Sequence, residues 1–326
     1  MICTMHVWGW FISIYLFLGG IGAGAYLTSA AAEKGLFGHV PHLQRLGYII
    51  SAPVAGTGAG LLLLDLGQGL HKPWLLIGLV TNPHSVMSWG TGILSGFICL
   101  GLIRGGMALL RKPAPTLLTN AGAVLAVATA GYTGMLLAAV KAIPLWHSLI
   151  IPVLFTISAL SSGMSATTLL SHCIEDNHPE PKRVCLAHVI LVIAELLVLA
   201  ILFYIINSGR MGPIAAKSGT MIMFDRFSTV FWLVLVGLGL VVPLIFYIYH
   251  YVYHRVNFPQ AITLDDSVHG LPMETVGNPE SVANSGKAQG ALKFLSLCDL
   301  AVLIGGLSLR CLIIFGALPV WSGVLS

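Results

Sequence analysis

The sequence predicts an all-α integral membrane protein with eight transmembrane helices, arranged as two four-helix bundles. Of the 326 residues, 56% are hydrophobic and only 9% are charged, whereas soluble domains carry about 25% charged residues. The mean hydropathy is +0.90. Apolar stretches of about 18 residues or more, which are long enough to cross a bilayer, recur from one end of the sequence to the other.

Short polar segments separate these stretches, so we expect a single membrane domain over residues 1–326. The first stretch lacks a basic segment before it and is too long for a signal-peptide core, so we expect it to be retained as a helix. The longest polar insert, at 254–292, is rich in Pro, Gly, Asn and Ser and is expected to be a flexible cytoplasmic loop. The predicted spans are 7–32, 45–66, 85–110, 117–140, 147–171, 184–207, 228–252 and 293–317.

The distribution of Lys and Arg predicts the orientation of these spans. Loops that follow the odd-numbered spans hold more Lys and Arg than loops that follow the even-numbered spans. Because cytoplasmic loops are enriched in basic residues, we expect both termini on the outer side of the inner (cytoplasmic) membrane of the cell. The loop at 208–227, with Arg210, Lys217 and Arg226, opposes this trend.

Charge and cysteine spacing exclude several classes of function. The net charge of +4 is scattered over short loops, so the sequence offers no basic patch for nucleic acid. The six cysteines form no C-x-x-C pair and no ferredoxin-type spacing. We therefore expect no iron–sulfur cluster or zinc site within this protein.

A glycine-rich stretch in the first span, "YLFLGGIGAGAYLTSA" from Tyr15 to Ala30, resembles a dinucleotide-binding turn at first sight. The G-x-G-x-x-G spacing is incomplete, however, and the surrounding run is continuously apolar. Gly20 and Gly24 instead stand in the G-x-x-x-G relation that allows membrane helices to approach closely. We expect these glycines to seat the first span against its neighbours.

Polar side chains inside membrane spans are costly and need a specific partner or role. With the predicted orientation, four spans place hydrogen-bonding groups at one depth near the outer side. Such a group fits a membrane-soluble ligand with polar head atoms, and a quinone needs both hydrogen-bond donors and proton acceptors. The candidate quinone-binding residues are Tyr132, Asp65, Tyr15, Ser88, Trp89 and His84.

A second set of polar residues lies deeper in the predicted bundle. His188 and Glu195 are seven residues apart and therefore share one face of the sixth span, while Asp299 and Arg310 share one face of the eighth. We hypothesise a proton relay formed by Glu195, Arg310 and His188. The alternative is a structural ion pair, and packing contacts alone would also account for Asp299 and Glu195.

Six motifs occur in the order typical of one known family. They are "YLFLGGIGAGAYL", "LLLLDLGQ", "NPHSVMSWGTGIL", "GYTGMLLA", "PLWHSLIIPVLFTISALSSGMSA" and "GGLSLRCLIIFG". On these motifs the sequence resembles the polysulfide reductase membrane-subunit (NrfD-like) family along nearly its whole length.

The resemblance implies a quinone-interacting subunit of a respiratory oxidoreductase, without the catalytic centre itself. It implies menaquinone or ubiquinone as cofactor, no haem, and electron exchange with a ferredoxin-like four-cluster iron–sulfur subunit. That subunit would serve a molybdopterin enzyme for polysulfide, thiosulfate, tetrathionate, dimethyl sulfoxide or arsenate, or else a multihaem cytochrome. Quinol oxidation feeding a reductase is the expected direction.

The family's quinone-contacting tyrosine maps to Tyr132 in "GYTG", and its acidic residue at the end of the second helix maps to Asp65. The sequence departs from the family in the first helix. There, Tyr15 stands where polysulfide-type members carry a histidine, and Ile12 replaces another polar side chain.

Two other functions remain open from the sequence. A haem b-containing quinol oxidoreductase needs paired axial histidines, but only His188 lies in the middle of a span, and an absorbance spectrum tests this. A secondary transporter would also explain intramembrane charges and glycine-interrupted helices. A transporter should purify alone, whereas a quinone-linked subunit should bring an iron–sulfur protein with it.

Overall fold

The computed structural model describes residues 9–38, 40–65, 86–174, 182–257 and 279–320, and its regular elements are helical throughout these ranges. A short 3₁₀ turn, Pro144–Trp146, lies between α4 and α5, and a π-helical segment, Val230–Val241, continues directly into α8. The α-helices are α1 Trp10–Glu33, α2 Pro41–Asp65, α3 Val86–Leu109, α4 Thr116–Ala138, α5 Ile150–Ile174, α6 Lys182–Asn207, α7 Pro213–Met223, α8 Val242–Asn257 and α9 Pro279–Phe315.

The predicted eight spans are confirmed. Within the part of the sequence that the structure describes, eight helices are long and apolar enough to cross a membrane, and each coincides with a predicted span to within a few residues. Their outward surfaces are apolar, as a lipid environment requires. In α6, for example, Ile190, Leu197 and Tyr204 are 57%, 56% and 74% exposed.

The helices form two closed rings of four. In the first ring α1 contacts α2, α2 contacts α3, α3 contacts α4, and α4 returns to α1. In the second ring α5 contacts α6, α6 contacts α8, the π segment and α8 contact α9, and α9 returns to α5. The rings are joined mainly through α1, which packs against both α5 and α9. The predicted pair of four-helix bundles is therefore confirmed.

Because successive spans alternate in direction, the assembly has two faces. We call the end where α1 begins at Trp10, α4 ends at Ala138 and α9 ends at Phe315 the N-terminal face. We call the other end, where α1 ends at Glu33 and α5 ends at Ile174, the opposite face.

The glycines of α1 create the close contacts that the sequence predicts. A methyl group at Gly22 would lie 2.6 Å from the carbonyl oxygen of Ser51 in α2. A methyl group at Gly24 would overlap the backbone of Ala159 in α5 and come within 2.9 Å of the Cα atom of Gly163. The expected seating of the first span against its neighbours is confirmed, with α2 on one side and α5 on the other.

An ion pair holds the first bundle together at the opposite face. Arg104 Nη2 in α3 lies 3.1 Å from Glu33 Oε2 at the end of α1, and the Tyr48 hydroxyl donates to the same oxygen at 2.5 Å. The Arg104 guanidinium also stacks over the Tyr48 ring, 3.9 Å from its centroid. Three helices are thereby tied together through one carboxylate.

Two segments expected as loops contain helix. Within 208–227 the backbone forms α7, which begins after Gly212 at a φ of 89° and has Pro213 in its first turn. Proline is favoured there because the first helical N–H needs no intrahelical partner. The last long helix, α9, begins at Pro279, inside the predicted 254–292 loop. Residues 258–278 of that loop lie outside the described residues.

Candidate functional site

Two buried tyrosines lie at the same depth near the N-terminal face, inside the first bundle. Tyr15 and Tyr132 are 1% and 6% exposed and belong to one apolar cluster that also contains Ile12, Leu94 and Leu136. Tyr15 lies five residues into α1, and Tyr132 lies six residues before the end of α4. At 1.5 Å per residue both lie about 8–9 Å below the helix ends. They are close enough to interact electrostatically.

The third helix of the bundle reaches Tyr132 at a glycine. A methyl group at Gly90 of α3 would overlap the ring and hydroxyl of Tyr132. Any larger residue there would push the ring away, so Gly90 sets the position of the tyrosine. This glycine lies in the "SWGTG" motif, although the sequence analysis attached no role to it.

Three of the other predicted quinone-binding residues belong to helices that the structure describes. Asp65 is the last residue of α2, and its backbone therefore ends at the N-terminal face. Ser88 lies half-buried in the first turn of α3, whereas Trp89 is 67% exposed. His84 lies outside the described residues, and the role of all four residues stays a prediction.

Arg310 occupies the junction between the two bundles. It is fully buried and donates from Nε to the Leu16 carbonyl of α1 at 3.2 Å. Its Nη1 donates to the Gly306 carbonyl at 2.8 Å and to Ser158 Oγ of α5 at 3.2 Å. A methyl group at Gly20 would lie 2.7 Å from Nη2, so this α1 glycine makes room for the guanidinium.

Glu195 faces the same junction from α6. It is 3% exposed, and its carboxyl interacts with the Ser158 hydroxyl and with the charge of Arg310. The structure thus brings together Glu195 and Arg310, two of the three predicted relay residues. A buried carboxyl beside a buried guanidinium supplies both an acceptor and a charge partner, which is the arrangement that either a relay or an ion pair requires.

His188, the third predicted relay residue, lies in a different environment. Its ring stacks on Tyr247, with centroids 4.5 Å apart, and its Nε2 atom lies 4.0 Å from Asp299 Oδ1. The seven-residue spacing correctly places His188 and Glu195 along one helix, about 10 Å apart. It does not reveal which neighbouring helix each of them meets.

Several polar residues that were not predicted from the sequence complete these clusters. Ser158 links Arg310 to Glu195, while Thr168 Oγ1 and the Tyr247 hydroxyl donate to Asp299 at 2.8 and 2.5 Å. A signal was available in α5, where Ser and Thr recur through "TISALSSGMSATTLL" within a membrane span. Such residues hydrogen-bond across membrane helices.

Among the residues that the structure describes, no group of three or more His, Cys, Asp or Glu side chains has the arrangement of a metal site. Five cysteines, Cys99, Cys173, Cys185, Cys298 and Cys311, are free thiols. They are distributed over α3, α5, α6 and α9. Among the described residues, the polar groups that the candidate site offers are therefore tyrosine hydroxyls, a guanidinium and carboxyls.

Comparison with known proteins agrees with this architecture. Residues 3–262 match the family model described as polysulphide reductase, NrfD. The sequence is 30% identical to the C subunit of the polysulfide reductase of Wolinella succinogenes over 266 residues, which cover 73% of this protein and 82% of the relative.

Two further relatives show similar coverage. Protein NrfD of Escherichia coli is 29% identical over 269 residues, covering 73% of this protein and 83% of the relative. The NrfD homolog of Haemophilus influenzae is 27% identical over 271 residues, with 73% and 82% coverage. Since the family match extends over most of the sequence and includes the helices that carry Tyr15, Tyr132 and Glu195, this multi-pass membrane protein belongs to the polysulphide reductase NrfD family.

Proposed function

We propose that this protein is the quinone-interacting membrane subunit of a respiratory oxidoreductase complex. The observation that carries the proposal is the buried pair Tyr15 and Tyr132, which places two phenol groups at one depth in an otherwise apolar cluster near the N-terminal face. Membership of the family supports it, because one relative is named as a subunit of polysulfide reductase.

The residues of this region suit an amphipathic quinone. Menaquinone or ubiquinone, when bound, would supply the transfer of two electrons together with two protons. Tyr132 is proposed to donate a hydrogen bond to a ring carbonyl, with Tyr15 beside it and Leu94 forming part of the apolar surroundings. Asp65, Ser88, His84 and Trp89 are proposed to complete the polar rim, with Asp65 or His84 exchanging protons with water.

The proposed partner is an external electron carrier that takes electrons from the quinol. We propose that a ferredoxin-like four-cluster iron–sulfur subunit docks on the N-terminal face, over the segments 67–84, 141–146 and 208–227. The first of these segments lies outside the described residues. Exposed Arg210, Lys217 and Arg226 are candidates for the contact surface. We propose that this subunit passes the electrons to a molybdopterin reductase or a multihaem cytochrome, so that quinol is oxidised in the membrane.

The deeper polar residues are proposed to carry protons between this site and the carboxyl of Glu195. Tyr15 is followed by Leu16, whose carbonyl accepts from Arg310, and Arg310 in turn contacts Ser158 beside Glu195. The cluster of Glu195, Ser158 and Arg310 therefore lies next to the α1 backbone that carries Tyr15. His188, the third predicted relay residue, faces Asp299 instead and lies about 10 Å along α6 from Glu195.

The test of the quinone site is Tyr132→Phe in the intact complex. Loss of one hydrogen bond, worth up to about 1.5 kcal/mol, predicts a fall in quinol turnover of up to roughly tenfold. Tyr204→Phe, on the exposed surface of α6, is the matched control and should retain full turnover. Equal turnover in both variants would refute the assignment of Tyr132, and co-purification of an iron–sulfur protein tests the partner separately.

The relay is tested by Glu195→Gln in complex reconstituted into liposomes. Glutamine keeps the size of the side chain but cannot exchange a proton, so we expect proton movement coupled to quinol oxidation to fall. The measurement is the internal pH change per quinol oxidised. Complete quinol oxidation with unchanged proton coupling would leave the structural ion pair as the explanation.

A further inference from the structure

The second bundle contains a buried carboxyl that the proposed quinone chemistry does not use. Asp299 of α9 is 1% exposed. It accepts hydrogen bonds from Tyr247 at 2.5 Å and from Thr168 at 2.8 Å. Two imidazoles face it as well, with His172 Nδ1 at 3.8 Å and His188 Nε2 at 4.0 Å.

We propose that Asp299 is a reversible proton-binding site that exchanges protons with the opposite face through His172. The ligand is a single proton, which binds to the carboxylate and leaves as the carboxyl ionises again. The titratable groups that face Asp299 are His172 from α5, His188 from α6 and Tyr247 from α8. Cys298 precedes it on α9.

The partners of Asp299 distinguish it from Glu33, a second described carboxylate that accepts a hydrogen bond from a tyrosine. Glu33 pairs with Arg104 at 3.1 Å, and a guanidinium stays charged throughout the physiological pH range. Asp299 is faced instead by His172 and His188, and imidazole changes its charge near neutral pH.

Once His172 has taken up a proton from the opposite face, the cluster can pass that proton to the Asp299 carboxylate without leaving an isolated buried charge. When the Asp299 carboxylate is ionised, a protonated His172 or His188 balances it. When Asp299 is protonated, both imidazoles can be neutral. Burial of an uncompensated charge is the main cost of proton transfer inside a membrane protein, and this arrangement avoids it.

The position of His172 connects the site to the opposite face. His172 lies two residues before the end of α5 at Ile174, and the neighbouring Cys173 and Ile174 are exposed. The His172 side chain itself is 7% exposed. The imidazole therefore stands between the surface of the opposite face and the carboxyl of Asp299.

Infrared spectroscopy of the purified full-length protein in lipid vesicles tests the site over a range of pH. We expect a carboxylic-acid C=O band that titrates in the native protein, disappears in Asp299→Asn and persists in Glu33→Gln. Glu33→Gln is the matched control because its carboxyl is also held by a tyrosine. An identical titration in the native protein and in Asp299→Asn would overturn the proposal.

A second pair of variants keeps the test decisive if Asp299→Asn does not fold. His172→Gln and His188→Gln leave the carboxyl in place but remove a titrating neighbour. A charge within about 4–6 Å moves a carboxyl titration by at least roughly one pH unit, so the band should titrate at a different pH in each variant. An unchanged titration in both would overturn the proposal. The measurement needs no quinone, so its outcome is independent of the Tyr132 experiment.

Discussion

At the residue scale, a glycine determines where the proposed quinone-contacting tyrosine lies. Gly90 leaves no room for a methyl group beside the Tyr132 ring, whereas Gly92, two residues later on α3, has open space around the same position. The two glycines are equivalent in sequence terms, because both lie in one apolar span. Only the packing of α3 against α4 separates their roles.

Gly90→Ala is therefore expected to displace the Tyr132 ring. Overpacking of this kind costs about 1–3 kcal/mol, so both the thermal stability of the purified protein and the quinol turnover of the complex should fall. Gly92→Ala is the control, and it should be neutral or slightly stabilising because alanine favours helix by up to about 1 kcal/mol. Equal stability and turnover in the two variants would contradict the contact between Gly90 and Tyr132.

Arg310 shows a limit of sequence reasoning at the same scale. A charge in a membrane span signals that a buried partner exists, and the prediction of Glu195 as a neighbour agrees with the structure. The contacts to the Leu16 carbonyl and to Ser158 could not be predicted, because they join residues far apart in the sequence. The sequence also could not show that Gly20 leaves space for the Arg310 guanidinium, because these two residues are far apart in the sequence.

At the element scale, α1 is the central helix of the molecule. It packs against α2, α4, α5 and α9 and so belongs to the core of the first bundle and to the junction with the second. The approach to α5 is made by Gly24 and Gly163, since a methyl group on either would overlap the backbone of the other helix. The sequence predicted that the α1 glycines form a close helix contact. Only the structure shows that α5 is the partner at Gly24.

Replacing Gly163 with alanine should separate α1 from α5. Because the added methyl group meets backbone atoms of Gly24 and Ala25, it cannot be accommodated by a change of rotamer. We expect a lower thermal unfolding midpoint, measured on the purified protein in detergent or lipid. Gly56→Ala in α2, where the added group would meet open space, should leave the midpoint unchanged. A midpoint that falls by the same amount in both variants would argue against a special role of the α1–α5 contact.

At the scale of the whole molecule, the two rings place different chemistry at different depths. The Tyr15 and Tyr132 pair lies toward the N-terminal face, the Arg310 and Glu195 junction lies deeper, and the Asp299 cluster lies toward the opposite face. This order gives the proposed electron-transfer site and the proposed proton-binding site access to different aqueous compartments. The orientation in the membrane decides which compartment each one meets.

Single-cysteine labelling measures that orientation. Exposed Lys217 of α7 lies at the N-terminal face, and exposed Lys112 follows α3 at the opposite face. In a background lacking the native cysteines, and with this protein expressed without its proposed partner subunits, we expect Lys217→Cys to react with a membrane-impermeant maleimide added to intact cells. Lys112→Cys should react only after the cells are opened. The reverse pattern would show that the N-terminal face is cytoplasmic.

The sequence by itself determined the membrane class, the eight spans and the role of the α1 glycines as packing residues. It could do so because bilayer thickness and the cost of buried charge act on each segment separately, and composition records both. Family motifs further predicted the importance of Tyr132. Only the tertiary structure decided that Tyr15 lies close to Tyr132, that Gly90 positions the ring, and that His188 meets Asp299 instead of Glu195. Those contacts depend on which helices become neighbours, and the periodicity of a single helix contains no information about its neighbours.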